Sequence, residues 1–444
     1  MKHFLPVIGA ILIVLAGLTG CKNDTTTTTK SSVARLTAFS VSNSHYSGLA
    51  AASFKVEERL DTGLVYNIDS IRYATPLDSV VPKFTFAATP GSVVLRTPDS
   101  TLVLGGSDTI SFVKQPVYLT VKSQDGTNTK VYEIRLTVHQ VDPDLYHWEQ
   151  LCPKIMNDNS EQRVVALGDR FVSVSNNGFR TLVHISIDGK TWTGGQSPTG
   201  LPDDCHVRRI ISDGEKLYYA DSLTLYTSAN AIDWTAEDYT GKGFAIRNML
   251  MIWNDTVWAI AEDDHGLVLA KMREGGLTLS DLRPQSDFPV SDFATVSFES
   301  ASRRARAMII GGRAKNGAVL NSRWNLEYSP VVGYRMQNFS IDRPAFTDLT
   351  GASVIWYNHQ LLMFGGVDAD MQYIGREILV SEDEGLSWTA ADTTKNQLPK
   401  AYSARQKQSV LVRDNTIYVF GGEQQTQTFS DVYSGKLNSI DWVE

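Results

Sequence analysis

The sequence predicts an all-β chain in two blocks, a β-sandwich followed by a six-bladed β-propeller. Three observations carry this. Short alternating apolar and polar runs bounded by Gly, Asn and Asp dominate, and no long helical periodicity follows the N-terminal apolar run. One hairpin pattern recurs six times between Tyr146 and Glu444. Tryptophans recur at the same period, which is that of a four-stranded propeller blade.

The chain opens MKHFLPVIGAILIVLAGLTGC. Lys2 and His3 precede an apolar run from Phe4 to Leu18, the layout of a secretory signal and too short for an ordinary membrane span. The run ends Leu18-Thr19-Gly20-Cys21, which resembles a bacterial lipoprotein signal. That resemblance implies removal of 1–20 and lipidation of Cys21. The plainer alternative is an N-terminal anchor helix. The polar segment 21–32 reads as a flexible tether.

The remainder is too long for one ordinary domain, and its 42% hydrophobic content is that of a globular protein. A net charge of −8 argues against a nucleic-acid surface, which needs a basic footprint. Besides Cys21 only Cys152 and Cys205 remain; outside the cytoplasm they could pair, but two cysteines make no framework. No metal-ligand spacing is present, and no cofactor is expected.

Block one runs from Val33 to Val141. Its clearest element is a hairpin: Val117, Leu119 and Val121 alternate with polar neighbours, Asp125-Gly126 turns the chain, and Ile134, Leu136 and Val138 alternate again. Lys83–Ala88, Ser92–Leu95 and Thr109–Val113 read as further strands. About seven strands over this length suggest an immunoglobulin-like sandwich. Val141-Asp142-Pro143-Asp144 is the linker.

Block two runs from Tyr146 to Glu444. Two-residue turns are expected at Gly168-Asp169, Asp213-Gly214, Asn254-Asp255, Asn358-His359 and Asp414-Asn415, with a longer one near Ser302. In chain order the six turns are separated by 45, 41, about 48, about 56 and 56 residues. Six turns give six blades. Trp148, Trp192 and Trp234 keep the period, as do Trp388 and Trp442. Trp148 and Trp442 occupy one place in the repeat at opposite ends, so one of them should supply the strand that closes the ring and removes its free edges.

Two resemblances refine this. Gly311-Gly312, Gly365-Gly366 and Gly421-Gly422 each follow an apolar strand and resemble kelch repeats, with Arg405 a loose match to the kelch arginine. Ser381-x-Asp383-x-Gly385-x-Ser387-Trp388 resembles the Asp-box of sialidases and related propellers. Ser186, Asp188, Gly189 and Trp192 form a copy one residue shorter, and Ser228 to Trp234 a weaker one. The resemblance implies a structural role on the outer turn of a blade, with the Asp holding backbone N–H groups and the Trp wedged between blades. As a whole the chain resembles a family of surface lipoproteins of Gram-negative gut bacteria, similar in fold to galactose-oxidase-type propellers. That resemblance implies no particular reaction.

A propeller binds ligands at its axial mouth, so residues entering the first strand of each hairpin are the candidates. These are Glu161, Arg163, His206, Arg208, Arg247, Arg405 and Gln406. Recurrent cations at one end of several blades suit an anion-accepting mouth; the plainer reading is inter-blade salt bridges. The expected role is non-catalytic binding of a glycan or protein partner by an outer-membrane lipoprotein, periplasmic or cell-surface. The alternative is a carbohydrate-active enzyme, sialidase-like or epimerase-like. A sialidase would need an arginine triad, for which Arg208, Arg247 and Arg405 are the candidates, with Glu161 as an acid. A copper oxidase would need histidine ligands, and the histidines show no ligand spacing. Glu262-Asp263-Asp264-His265 reads as a solvated loop, and Trp253, Trp258, Trp356 and Tyr357 as core.

Overall fold

A computed structural model describes residues 29–105, 108–156, 160–285, 287–340 and 348–439. Cys21 and Trp442 lie outside these residues. The chain divides into two compact units, Met1–Gln140 and Val141–Glu444. Among the described residues every regular element is a strand, apart from two 3-10 turns, Ser47–Ala51 and Val207–Arg209.

In the first unit, Leu36–Ser42 pairs antiparallel with Val81–Phe86. A six-stranded sheet follows the order Phe54–Glu57, Thr62–Asn67, Thr129–Arg135, Val117–Lys122, Ser92–Arg96, Thr101–Val103. Thr62–Asn67 and Thr129–Arg135 run parallel. Leu36, Phe39, Val65, Leu119, Tyr132 and Ile134 meet in one core. The expected hairpin is present: Asp125 Oδ1 accepts from Thr127 N–H at 3.0 Å, and Gly126 turns the chain at φ +77°. Thr109–Val113 is not a strand. Only Ile110 bridges Val80, although Ile110 and Phe112 are fully buried. Burial alone dictated the apolar alternation there, without a ladder.

Among its described residues the second unit contains six antiparallel sheets, here I to VI. Sheet I comprises Glu161–Leu167, Arg170–Asn176 and Thr181–Ser186. Sheet II comprises Ile211–Ser212, Leu217–Asp221, Thr224–Ser228 and Thr235–Asp238. Sheet III comprises Ala245–Trp253, Thr256–Asp263, Gly266–Arg273 and Gly276–Leu279. Sheet IV comprises Ala294–Glu299, Ala305–Ile310, Arg323–Ser329 and Gly333–Asn338. Sheet V comprises Ser353–Tyr357, Gln360–Phe364, Ile378–Ser381 and Thr389–Ala390. Sheet VI comprises Ser409–Arg413, Thr416–Gln424 and Gln427–Leu437, completed by Tyr146–Cys152 from the start of the unit. The first strands touch in a closed cycle, each against the next and the last against the first. Trp148, paired with Gly435, therefore sits on the closing strand.

The turn chemistry follows the sequence where two residues suffice. Asn254-Asp255, Asn358-His359 and Asp414-Asn415 all have positive φ at both positions, the conformation that matches strand twist. Asp213-Gly214 differs. Its loop spans residues 213–216, because Asp213 Oδ1 accepts from both Glu215 and Lys216 N–H, at 2.9 and 2.7 Å, and widens the turn.

The first two glycine pairs are joints between neighbouring sheets. Gly366 N–H donates to Arg405 O at 3.0 Å, and Gly312 N–H to Leu349 O at 2.7 Å. In each case the acceptor lies on the segment entering the next sheet. A Cβ on Gly365 would stand 2.5 Å from Arg405 O, so only glycine lets the backbones approach.

The Ser–Asp turns follow the third strands of sheets I, II and V. Ser381 Oγ donates to Asp383 Oδ1 at 2.9 Å and accepts from Gly385 N–H at 2.8 Å, while Asp383 accepts from Ser387 N–H at 2.8 Å. Ser186, Asp188 and Gly189 repeat the pattern, and Asp188 Oδ1 accepts from both Lys190 and Thr191 N–H at 2.8 Å. In the degenerate copy Asn230 takes the Asp place, and Ala231 takes the glycine place at φ +69°. Trp192 and Trp234 donate to the carbonyl three residues earlier, both at 3.0 Å. Trp388 packs with side chains of sheets IV and V, and Trp234 with those of I and II. Each ring is a wedge between neighbouring sheets.

Cys152 and Cys205 are buried free thiols. Cys152 packs in the cluster joining sheets VI and I, and Cys205 in the cluster joining I and II, so packing separates them. Trp253, Trp258 and Tyr357 are core residues, 1%, 0% and 3% exposed.

Candidate functional site: an axial cavity

A cavity of about 320 Å³ opens where the six first strands converge, and every sheet or its entering segment contributes to the lining. Sheet I supplies Glu161 and Arg163. The 3-10 turn before sheet II supplies Arg208, with His206 just ahead of it. Sheet III supplies Asn248, and the segments entering IV, V and VI supply Asp292, Gly351, Lys407 and Gln408. Apolar surface comes from Met249, Phe293 and Ala352.

Most charges at the mouth are paired. Arg208 Nη2 donates to Glu423 Oε2 at 2.6 Å, and its Nη1 lies 3.6 Å from Glu161 Oε2. Lys407 Nζ lies 3.1 Å from Glu423 and 3.5 Å from Asp292, and Arg313 lies 3.8 Å from Asp292. Arg163, like Arg209 on the same wall, has no ion-pair partner among the described residues. Its Nε donates to Ile210 O at 3.3 Å. Burial, with Arg208 beside it adding repulsion, pulls its guanidinium down to about 10, and it stays charged at neutral pH.

Four lining residues each carry a solvent-inaccessible polar atom without a hydrogen-bond partner: Glu161 Oε1, Arg208 Nε, Asn248 Oδ1 and Gln408 Oε1. Asn248 Nδ2 donates to Val290 O at 3.1 Å and Gln408 Nε2 to Phe364 O at 2.5 Å. Each amide is thus held at its nitrogen, with its oxygen left over. These four atoms are shut off from solvent behind the cavity wall, and the Gln408 amide lies against Gly365.

The structure brings together Glu161, Arg163, His206 and Arg208 of the sequence candidates. Gln406 stands behind them, donating to Glu423 Oε1 at 3.3 Å. Arg405 and Arg247 are elsewhere. Arg405 is fully buried, makes two bonds to Asp431 at 2.5 and 3.2 Å, donates to Gly421 O at 3.1 Å, and lies 3.9 Å from the Phe429 ring centroid. It is a core ion pair that also braces the last glycine pair. Arg247 points to a neighbouring depression and pairs with Glu262 at 2.7 Å. A register shift between Ile246 and Asn248 puts Asn248, not Arg247, on the cavity wall. The three arginines of the sialidase alternative are therefore not gathered in one site.

Sequence reasoning missed Asn248, Asp292, Lys407, Gln408 and Glu423. Lys407 and Gln408 carry the same positional signal as Arg405, two and three residues further on. Asn248 was masked by the bulge. None of the Ser–Asp turn residues lines the cavity. Glu262 and Asp263 form surface ion pairs with Arg247, Lys315 and Arg283. Among the described residues no group of three or more His, Cys, Asp or Glu side chains is arranged to hold a metal, and no helix is long and apolar enough to cross a membrane.

Residues 142–444 match the DUF6242 beta propeller domain, and residues 22–136 match the DUF6242 N-terminal domain. No curated protein matches the chain. Among solved structures, that of YjhT is similar at 12% identity and a TM-score of 0.47, covering 64% of this chain and 96% of that one. The chain belongs to the DUF6242 family, with its N-terminal domain followed by its β-propeller domain.

Proposed function

We propose that the protein is an outer-membrane lipoprotein that binds a glycan or a protein partner, without catalysis, at the axial mouth of a six-bladed propeller of mixed kelch and Asp-box type. In this reading a lipid on Cys21 and the threonine tether hold it to the membrane, and an immunoglobulin-like first unit acts as a spacer. The six sheets in a closed cycle, the glycine joints and the Ser–Asp turns support the propeller type.

One observation carries the binding role: a concave cavity at the centre of the ring, lined mainly by charged and polar residues from all six sheets or their entering segments. A cavity suits a glycan better than a flat protein face does. Its carboxylates already serve as counter-ions to Arg208, Lys407 and Arg313, which supports binding over acid–base chemistry. A glycan-array screen of the full-length protein tests the reading. Binding to a glycan class is the expected result. Binding to none would overturn the glycan reading and leave a protein partner.

A further inference from the structure

We infer that the ligand is a linear oligosaccharide with negative groups along its length, and that it runs from the axial cavity across Arg209 into a second depression formed by sheets II, III and IV. This rests on the glycan reading above and adds the extent and the charge of the ligand.

The axial cavity has a neighbour. A depression of about 480 Å³ is lined by Asp221 and Ser222 beside sheet II, by Arg247 and Glu262 of sheet III, and by Arg313 and Lys315 beyond the second strand of sheet IV. Arg209 and Ser291 line both hollows, so the two share a wall. Small-molecule sites usually offer roughly 300–1,000 Å³. The axial cavity alone, at about 320 Å³, lies at the small end of that range. An occupant that fills both hollows is elongated, which suits a chain of sugar units better than a single unit.

The charge of the occupant follows from how the carboxylates are shared. Glu423 serves Arg208 and Lys407, at 2.6 and 3.1 Å. Asp292 serves Lys407 and Arg313, at 3.5 and 3.8 Å. Glu262 serves Arg247 and Lys315, at 2.7 and 2.5 Å. A carboxylate divided between two cations leaves both partly uncompensated. Arg163 and Arg209 have no carboxylate partner among the described residues. With Glu161 and the exposed Asp221 included, five carboxylates face seven cations along the two hollows, on a chain whose net charge is −8. The surplus is spread out: Arg163 in the axial cavity, Arg209 at the shared wall, Arg247, Arg313 and Lys315 beyond it. One anionic group would meet only one of these places, whereas repeated groups along a chain meet them in turn. The outer cations are accessible, since the Arg247 and Lys315 side chains are 43% and 62% exposed. A cleft with an excess of one sign also concentrates ligands of the other.

The test measures the affinity of the full-length protein for a uronate series and a sulfated series, each from monosaccharide to octasaccharide, beside neutral chains of matched length. Affinity should rise about tenfold or more with length in at least one acidic series, because contact with the second depression becomes intramolecular. The series that shows the rise names the charged group. The same long chains should lose about tenfold in affinity between about 50 and 500 mM salt, while neutral chains stay level. The double variant Arg247→Gln/Lys315→Gln leaves Glu262 alone in the second depression. It should weaken the long acidic chains about tenfold, leave monosaccharide binding unchanged, and alter the melting temperature little, because both side chains are exposed. Affinity independent of length in both acidic series would overturn the inference and leave the glycan reading standing. Equal binding of neutral and acidic chains of one length would do the same, as would a folded double variant that binds long acidic chains like the unaltered protein. Binding to no glycan would overturn both.

Discussion

Gly365→Ala tests how the propeller is jointed. The new Cβ would stand 2.5 Å from Arg405 O and 2.6 Å from Gln408 Nε2, and the residue sits at φ +55°. The backbone conformation alone costs roughly 1–2 kcal/mol for alanine. Relieving the clash means moving the Arg405 carbonyl off Gly366 N–H, a further loss of about 1 kcal/mol. Moving Gln408 weakens its bond to Phe364 O, about 1 kcal/mol more. The sum is about 3–4 kcal/mol. Gly168→Ala is the control, because Gly168 has nearly the same φ, +58°, and nothing within 4 Å of its virtual Cβ. It should cost only the conformational part, roughly 1–2 kcal/mol. For a unit of this size the difference of about 2 kcal/mol corresponds to about 4 °C in melting temperature. Denaturant titration and thermal melts of both variants read it directly. If the two variants lose the same stability within about 0.5 kcal/mol, the glycine pairs are not joints and the reasoning fails.

Further expectations follow from the same geometry. Asp431→Asn leaves Arg405 buried without its counter-ion and should cost about 3–5 kcal/mol; a melt shifted by less than 2 °C, about 1 kcal/mol at this size, would contradict the core role of the pair. Asp383→Ala removes the bonds from Ser387 and Ser381 and should cost about 1 kcal/mol, with glycan binding unchanged; lost binding by a folded variant would move the site to the outer turn. Backbone bonds, first from Thr191 and then from Lys190, hold the Asp188 carboxyl below its ordinary value of 3.8 against a small burial effect. Its contribution is present above that value and lost as pH falls through the lowered one, so the unaltered protein should lose more melting temperature between pH 5 and pH 3 than Asp188→Ala does. Parallel curves would show that the turn contributes nothing. Cys21→Ala should release the protein from membranes in a fractionation assay, and unchanged membrane association would refute the lipid anchor.

The β-propeller was legible because its signals are local and repeated. Two-residue turns such as Asn254-Asp255 announce themselves through residues that tolerate positive φ, and tryptophans such as Trp192 and Trp234 recur at blade period. The glycine pairs were visible as a pattern, but their purpose was not. What forbids a side chain at Gly365 is a carbonyl 40 residues away in sequence, on the segment entering the next sheet.

The candidate site divides along the same line. Residue types and repeat position sufficed to select Glu161, Arg163, His206 and Arg208, because entry to a first strand is a place that the repeat marks. They did not separate Arg405 from Lys407, which differ only in the side on which the backbone turns them. Arg405 goes into the core against Asp431, and Lys407 goes to the mouth. They could not reveal the bulge that trades Arg247 for Asn248, since a one-residue slip reverses every side chain after it and leaves no mark in composition.

By itself, then, the sequence determined the strands, the turns, the repeat and the neighbourhood of the mouth, all set by short-range chemistry. Only the tertiary structure decided that Tyr146–Cys152 closes the ring, and which cations at the mouth are neutralised by carboxylates. Closure, pairing and exposure depend on which distant segments meet, and that is fixed by packing around the ring.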